Sequence, residues 1–280
     1  MDDGPWPRTA LRGHPGAMVT SNGYVLDESP RRLGELRPVP DAERADRDAL
    51  WARLRRDGYL WLRGALDPDG VREFRRHYFA HVDPELPRGE QRAALFGRVV
   101  PGPEYTEFCA QPAVRDWYAW FLGGDTFLHR RKILRHTRPG EAGIGTATQA
   151  HYDLVYLREG TDRVLSSWIP LGDCPVELGG LVYLEASHVR VLAEEAAGTL
   201  KRPAASLTAD LPALAEEYDA RWLLADYAAG DMVVHSAHMV HASLDNTADT
   251  YRLSTDIRYQ RADQAIDWRW QEHWHDLDGL

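Results

Sequence analysis

Hydrophobic positions along the chain follow two rhythms, and the change comes near residue 126. Before it, apolar residues recur at helical spacing. Leu50, Trp51 and Leu54 predict a helix over 41–57 with Asp41 as its cap. Val71, Phe74 and Tyr78 predict a second over 71–81, led in by the turn Asp67-Pro68-Asp69-Gly70. A third, over 112–122, is aromatic along its length (Trp117, Tyr118, Trp120, Phe121) and reads as core packing. Between the first two, the glycine-bounded run 58–64 predicts a short strand. Residues 1–40 carry six prolines from Pro5 to Pro40 and read as an irregular arm. The proline-bearing stretch 83–105 reads as loop.

After residue 126 the pattern shortens to strands. They are expected at 127–136, 147–157, 164–171, 179–184, 231–235, 238–243 and 252–260. Residues 188–226 interrupt them as a helical insertion, with helical pieces at 191–200 and 211–223 around Pro203 and Pro212. Helices first and short strands afterwards predict a mostly β fold, an antiparallel barrel or sandwich with a helical buttress. A chain of 280 residues fits a single domain of this kind. The Trp-rich tail (Trp268, Trp270, Trp274, with His273 and His275) is expected to bury against the buttress.

Composition narrows the function. A net charge of −10 disfavours nucleic acid, whose phosphates it would repel. No apolar run approaches the roughly 20 residues that span a bilayer. The two cysteines, Cys109 and Cys174, form neither a metal pattern nor a disulfide framework, which points to a reducing cytoplasm. Of 33 basic residues only Lys132 and Lys201 are lysine, a bias expected of GC-rich coding. His77 and His81 stand four apart on the second helix, but no third ligand lies near them in sequence, and a surface pair is expected.

The candidate chemistry starts at Thr148-Gln149-Ala150-His151-Tyr152-Asp153. On a strand, positions i and i+2 point to one face, so His151 and Asp153 can address one point. A further histidine would complete a two-His-one-carboxylate triad, which holds iron(II) and leaves open positions. By itself His-x-Asp is a weak signal. Support comes from Gly230-Asp231-Met232-Val233-Val234-His235, which leads to His238, His241 and Asn246, and then to Arg252-Leu253-Ser254. His235, His238 and His241 compete for the third position. An arginine eleven residues after the last of them suits an iron(II)/2-oxoglutarate oxygenase, because a guanidinium forks onto a carboxylate.

Taken together, these segments resemble the phytanoyl-CoA dioxygenase family of iron(II)/2-oxoglutarate oxygenases. The resemblance runs from about Asp57 to Gln260. It rests on Asp57-Gly58-Tyr59-Leu60-Trp61-Leu62, His151-Tyr152-Asp153, Ser167-Trp168-Ile169-Pro170-Leu171, the stretch from Gly179 to His188, Gly230 to His235, His241 to Asn246, and Arg252-Leu253-Ser254, in that order. It implies a double-stranded β-helix, a jelly-roll of cupin type. It implies His151, Asp153 and His241 as iron ligands and Arg252, with Ser254 beside it, on the 5-carboxylate of 2-oxoglutarate. Trp168 falls where the family places a tryptophan near the co-substrate; Thr148 and Ser243 are candidates lining that pocket. Two positions depart from the family. Ala186 stands where glycine is usual, which touches a turn. Tyr152 stands where glutamine is common, which argues against carrying over a fatty acyl-CoA substrate.

The implied cofactors are iron(II), 2-oxoglutarate and O2, and the implied reaction is hydroxylation or a related oxidation of a C–H bond in a small molecule. Family-like halogenases lack the carboxylate ligand, and Asp153 retains it. A secondary-metabolite intermediate is the expected substrate. The alternatives are desaturation, ring closure or oxidation of an amino sugar with the same cofactors, and a cupin-like binding protein that does not turn over. Residues 1–40, 83–105 and 188–226 are expected to form the lid. Nothing in the sequence signals an oligomeric state.

Overall fold

The computed structural model describes residues 18–275, apart from 142, 158 and 202–205. Two sheets face each other. The larger holds β4 (Tyr59–Leu62), β10 (Met232–Ser236), β7 (Leu165–Pro170), β12 (Arg252–Arg261) and β5 (Thr126–Leu128) in that spatial order, and β6 (Ile133–Thr137) also pairs with β12. The smaller runs β11 (His241–Ser243), β8 (Leu181–Leu184), β9 (Trp222–Leu224) and β3 (Leu33–Glu35). All pairings in the two sheets are antiparallel except that of β3 with β9. A short hairpin, β1 (Thr20–Ser21) with β2 (Tyr24–Val25), belongs to the stretch expected to be irregular; residues 1–17 of that arm lie outside the described residues. The architecture is the helically buttressed β fold expected from the strand pattern, in the jelly-roll form that the family resemblance implies.

Alternation along the strands separates the layers. On β4 and β10, Leu60, Leu62, Met232 and Val234 point outward into a core shared with the helices. Their neighbours Tyr59, Trp61 and Val233 point inward and meet Trp168, Leu181 and Tyr183 between the sheets. The outer core takes Leu50 and Leu54 from α1 (Arg47–Asp57), Val71, Phe74 and Tyr78 from α2 (Pro68–His81), and Val114, Tyr118 and Phe121 from α5 (Pro112–Leu122). Each of these residues is buried, and burying an apolar side chain of this size contributes about 1.5–3 kcal/mol. A third cluster covers the outside of the smaller sheet, where Val182, Leu184, Trp222 and Leu224 meet Val191 of α6 (Ser187–Ala196) and Leu211 and Leu214 of α7 (Leu211–Tyr218).

Several boundaries differ from the sequence reading. Asp41 opens only a short 3-10 turn; α1 is capped by Asp46, whose carboxylate accepts from the N–H groups of Asp48 and Ala49. The stretch 83–105 is mostly helical: α3 (Arg88–Ala94) runs into a π-helical turn over Leu95–Val99, and α4 (Pro103–Cys109) follows. Pro87 and Pro103 start these helices rather than break them, since a missing N–H costs nothing in the first turn. The expected strand 127–136 is broken at 129–132 into β5 and β6. The second insertion helix ends at Tyr218, where Asp219 turns left-handed, and the chain continues as β9.

Ala186 has φ +54°, a left-handed conformation that a Cβ disfavours. It sits at the sharp turn from β8 into α6, so the departure from the usual glycine carries a physical cost. We expect Ala186→Gly to raise stability by about 0.5–1 kcal/mol, the relief of strain exceeding the extra chain entropy. A urea midpoint that stays put or falls would contradict this.

Candidate active site

The stretch carrying His151 and Asp153 is not a strand. His151 makes one isolated bridge to His241, its N–H donating to the His241 carbonyl at 3.0 Å and the reverse bond at 2.9 Å. Tyr152 is extended (φ −122°, ψ 147°), and a 3-10 turn starts at Asp153. One extended residue suffices to keep His151 and Asp153 on the same side, so the i, i+2 expectation holds without the strand that motivated it. The bridge also sets the first histidine directly against the last. The two imidazole rings lie 4.2 Å apart.

The ligand atoms of His151, Asp153 and His241 all lie within 4.8 Å of one another. A shared ion about 2.1 Å from each requires separations of no more than roughly 4.2 Å, so shifts of tenths of an ångström close the site. The protonation pattern fits a metal. Nδ1 of His151 bonds the Gln149 carbonyl and Nδ1 of His241 bonds the Met239 carbonyl, both at 2.9 Å. A nitrogen facing a carbonyl must carry the proton, which leaves each Nε2 with a lone pair. Burial holds both imidazoles below their ordinary range, and hence neutral and able to ligate.

Asp153 is buried and ionised. Burial pushes its carboxyl up, but Arg258, His235 and His241 outweigh that and hold it well below the usual range. Arg258 donates from Nε and Nη2 at 3.3 and 3.2 Å, and the Ser166 hydroxyl donates to Oδ2. Of the competing histidines, His238 turns away to Glu195 at 2.7 Å. His235 stays at the centre: its Nδ1 meets the Tyr183 hydroxyl at 2.7 Å, and its Nε2 stands 3.8 Å from Asp153, buried without a hydrogen-bond partner. Asp162, Glu195 and His238 form a second ligand-like group, but Asp162 is exposed and none of the three lines the central cavity. His77 and His81 pack ring to ring, His81 bonding the His77 carbonyl, and join no ligand group among the described residues.

A cavity of about 490 Å³ opens beside the three ligands. Every sequence candidate lines it: His151, Asp153, His241, Arg252, Ser254, Trp168, Thr148 and Ser243. Thr148 and Ser243 also hold each other, the Thr148 N–H donating to the Ser243 hydroxyl at 2.8 Å. Arg252 is buried, and among the described residues no carboxylate comes within ion-pair range of it. Its Nη2 donates to the Thr137 hydroxyl at 2.7 Å and its Nη1 to the Gly179 carbonyl, while Nε has no partner. Such a guanidinium is built for an anion that arrives from outside.

Sequence reasoning assigned no site role to Arg131, Arg135, Asp256, Arg258, Trp270 and Trp274, all of which line the cavity, as does His235, which competed there as a ligand. The period-2 row Arg252, Ser254, Asp256, Arg258 on β12 was a signal for two of them. The tail was expected against the buttress; Trp274 does reach the helix-side core, but Trp270 joins the cluster of the smaller sheet and the insertion, and both line the cavity. Of the expected lid, Ser206 of the insertion contributes, whereas no residue of 83–105 or of 18–40 lines the cavity.

A jelly-roll that gathers two histidines, one carboxylate and a buried guanidinium at one cavity fits a non-haem iron, 2-oxoglutarate-dependent oxygenase, with iron(II) as cofactor and 2-oxoglutarate and O2 as co-substrates. Residues 54–254 match the model of the phytanoyl-CoA dioxygenase (PhyH) family, and the chain belongs to that family. The 1-deoxypentalenic acid 11-beta-hydroxylase of Streptomyces exfoliatus is 25% identical over 233 residues, covering 78% of this chain and 82% of that one. Among solved structures, the epimerase SnoN of nogalamycin biosynthesis, in complex with Fe3+, alpha-ketoglutarate and nogalamycin RO, superposes with a TM-score of 0.58 at 23% identity, over 79% of this chain and 86% of that one. The carbocyclase SnoK of the same biosynthesis gives 0.59 at 22%, over 82% and 88%. These structural likenesses speak for the fold. Family membership sets aside the non-catalytic cupin alternative.

Ser166 tests the supporting shell. Ser166→Ala should weaken ferrous-ion affinity on the order of tenfold, because Asp153 loses a donor that orients it. Titration against a competing chelator reads this; unchanged affinity would mean that Arg258 alone positions the carboxylate.

Proposed function

We propose that His151, Asp153 and His241 hold iron(II), that Arg252 binds the distal carboxylate of 2-oxoglutarate, and that the enzyme hydroxylates an unactivated C–H bond of a small secondary metabolite. The observation that carries this reading is the convergence of the three ligand atoms within 4.8 Å beside a buried guanidinium that has no carboxylate partner among the described residues.

When bound, iron and 2-oxoglutarate together convert O2 into an oxidant able to break a C–H bond, with 2-oxoglutarate leaving as succinate and CO2. The chain's own residues do the rest. The Gln149 and Met239 carbonyls fix the imidazoles with Nε2 inward. Arg258 and Ser166 fix the carboxylate. Thr137 and the Gly179 carbonyl aim Arg252, and Ser254 stands two residues along the same face. Trp168, buried against Tyr227 at 4.9 Å, walls the cavity and keeps water from the co-substrate. Ser243 and Thr148 close the same wall.

Hydroxylation is preferred over desaturation, ring closure or amino-sugar oxidation because the similar curated protein from Streptomyces exfoliatus is named a hydroxylase. The same fold also carries proteins named as an epimerase and a carbocyclase. The outcome is therefore expected to depend on what the cavity wall presents to the substrate.

His151→Ala and Asp153→Ala should abolish succinate production from 2-oxoglutarate, and each should lose stoichiometric ferrous-ion binding. Full turnover in either variant would refute the ligand assignment. Arg252→Ala should raise the 2-oxoglutarate concentration needed for half-maximal succinate release by about 100-fold, as expected for losing roughly 3 kcal/mol of charge-assisted hydrogen bonding. A KM within threefold of wild type would move the co-substrate carboxylate elsewhere.

A further inference from the structure

One histidine at the centre stands outside the ligand set. His235 lies on β10, buried beside the candidate ligands. Its ring is 4.4 Å from that of His241, and its Nε2 stands 3.8 Å from Oδ2 of Asp153. Nε2 has no hydrogen-bond partner among the described residues. A buried ring nitrogen left in this way calls for one.

The tautomer decides what that nitrogen can do. Nδ1 of His151 and Nδ1 of His241 face backbone carbonyls, which hold the proton on Nδ1 and free Nε2 for a metal. Nδ1 of His235 faces the Tyr183 hydroxyl instead, at 2.7 Å. Tyr183 is buried, and His235 is the one hydrogen-bond partner of its hydroxyl among the described residues. Were Nδ1 the donor, the phenolic proton would be buried without an acceptor. The hydroxyl therefore donates, Nδ1 accepts, and the neutral ring carries its proton on Nε2. A protonated ring nitrogen cannot bind a metal. It can donate to the carboxylate it faces.

The two oxygens of that carboxylate are unequal. Oδ1 faces Nε2 of His151 at 3.8 Å and accepts from Arg258 Nη2. Oδ2 faces the larger sheet, where it accepts from the Ser166 hydroxyl and from Arg258 Nε. His235, Ser166 and Arg258 form one row across β10, β7 and β12, with Ser166 opposite both of the others in register. The sheet thus aims three donors at Oδ2. His235 is the last of them, and a closing movement of about 0.6 Å brings it within hydrogen-bond range.

We infer that His235, with its tautomer set by Tyr183, is a positioning residue that caps Oδ2 of Asp153 and keeps that oxygen off the metal. The carboxylate then ligates through Oδ1 alone, which leaves a further coordination position for 2-oxoglutarate. This rests on the iron-site reading of the same residues.

The test uses the full chain under anaerobic conditions. Competition with a chelator reads ferrous-ion affinity. The visible charge-transfer band of the iron–2-oxoglutarate chelate, followed as 2-oxoglutarate is added, reads co-substrate affinity. His235→Leu should raise the 2-oxoglutarate concentration at half-maximal band about tenfold, as expected for one charge-assisted hydrogen bond, and leave ferrous-ion affinity within threefold of wild type. His235→Gln, whose amide N–H can reach the same oxygen, should return co-substrate affinity to within threefold. Tyr183→Phe should shift it in the same direction as His235→Leu, and should add nothing to that variant in the double mutant. A fourth ligand would instead lose tenfold or more in ferrous-ion affinity, and a packing role would make His235→Gln no better than His235→Leu; either result overturns the inference. An unchanged half-saturation in folded His235→Leu overturns it too. Should that variant not fold, Tyr183→Phe decides alone, and no shift there refutes the relay. Wild-type protein that forms no band removes the oxygenase reading and this role with it. A wild-type band that the variants leave untouched removes this role only.

Discussion

A fully buried, ionised carboxylate is the constraint from which the site follows. Removing Asp153 from water would by itself favour the neutral acid, which ligates metal poorly. The fold reverses that preference with Arg258, reaching across from β12, and with the hydroxyl of Ser166 on β7. Those two strands pair directly, with Arg258 opposite Ser166 in register. One antiparallel ladder therefore sets the positions of both supports, and the supports set Asp153. A slip of one residue between the strands would turn either side chain to the helix side of the sheet and leave the carboxylate without them.

The same ladder explains why the outer helices matter to chemistry they never touch. Ser166 and Trp168 face inward, whereas Ser167 between them faces out and meets the Tyr118 hydroxyl at 2.6 Å. Thr255 on β12 likewise faces out to Tyr105, at 2.6 Å. Buried hydroxyl pairs of this kind tolerate only one register, because any other strands both partners without hydrogen bonds. The aromatic helix face thereby locks the sheet whose other face carries the arginines.

How far this was legible in the sequence differs by residue. The β fold and its helical buttress could be read because strand alternation is local in the chain, and the jelly-roll and the eight candidate residues followed from short motifs shared with a family. His151 and Asp153 were assigned to one face for a sound reason, although the backbone there is a single extended residue rather than a strand. The helices over 83–105 were not legible, because Pro87 and Pro103 read as breakers when their positions made them starters. Arg131 and Trp270 escaped for another reason. Their roles depend on which distant segment ends beside them, and no spacing rule records that. Arg258 and Asp256 were closer to reach, since extending the face of Arg252 and Ser254 by two and four residues leads to both.

Position in the chain separates common chemistry from individual specificity. The candidate ligands His151, Asp153 and His241, and Arg252, come from segments within residues 54–254, the span of the family match. Trp270 and Trp274 lie beyond it, and Ser206 comes from the insertion. A frame that holds its reactive centre on paired strands can exchange such peripheral walls without disturbing the ligands, because loops and termini are not bound by sheet register. Proteins of this fold named as a hydroxylase, an epimerase and a carbocyclase are what that freedom permits. In this chain the peripheral wall includes Trp270, laid against the Arg258 guanidinium, two of whose nitrogens hold the Asp153 carboxylate.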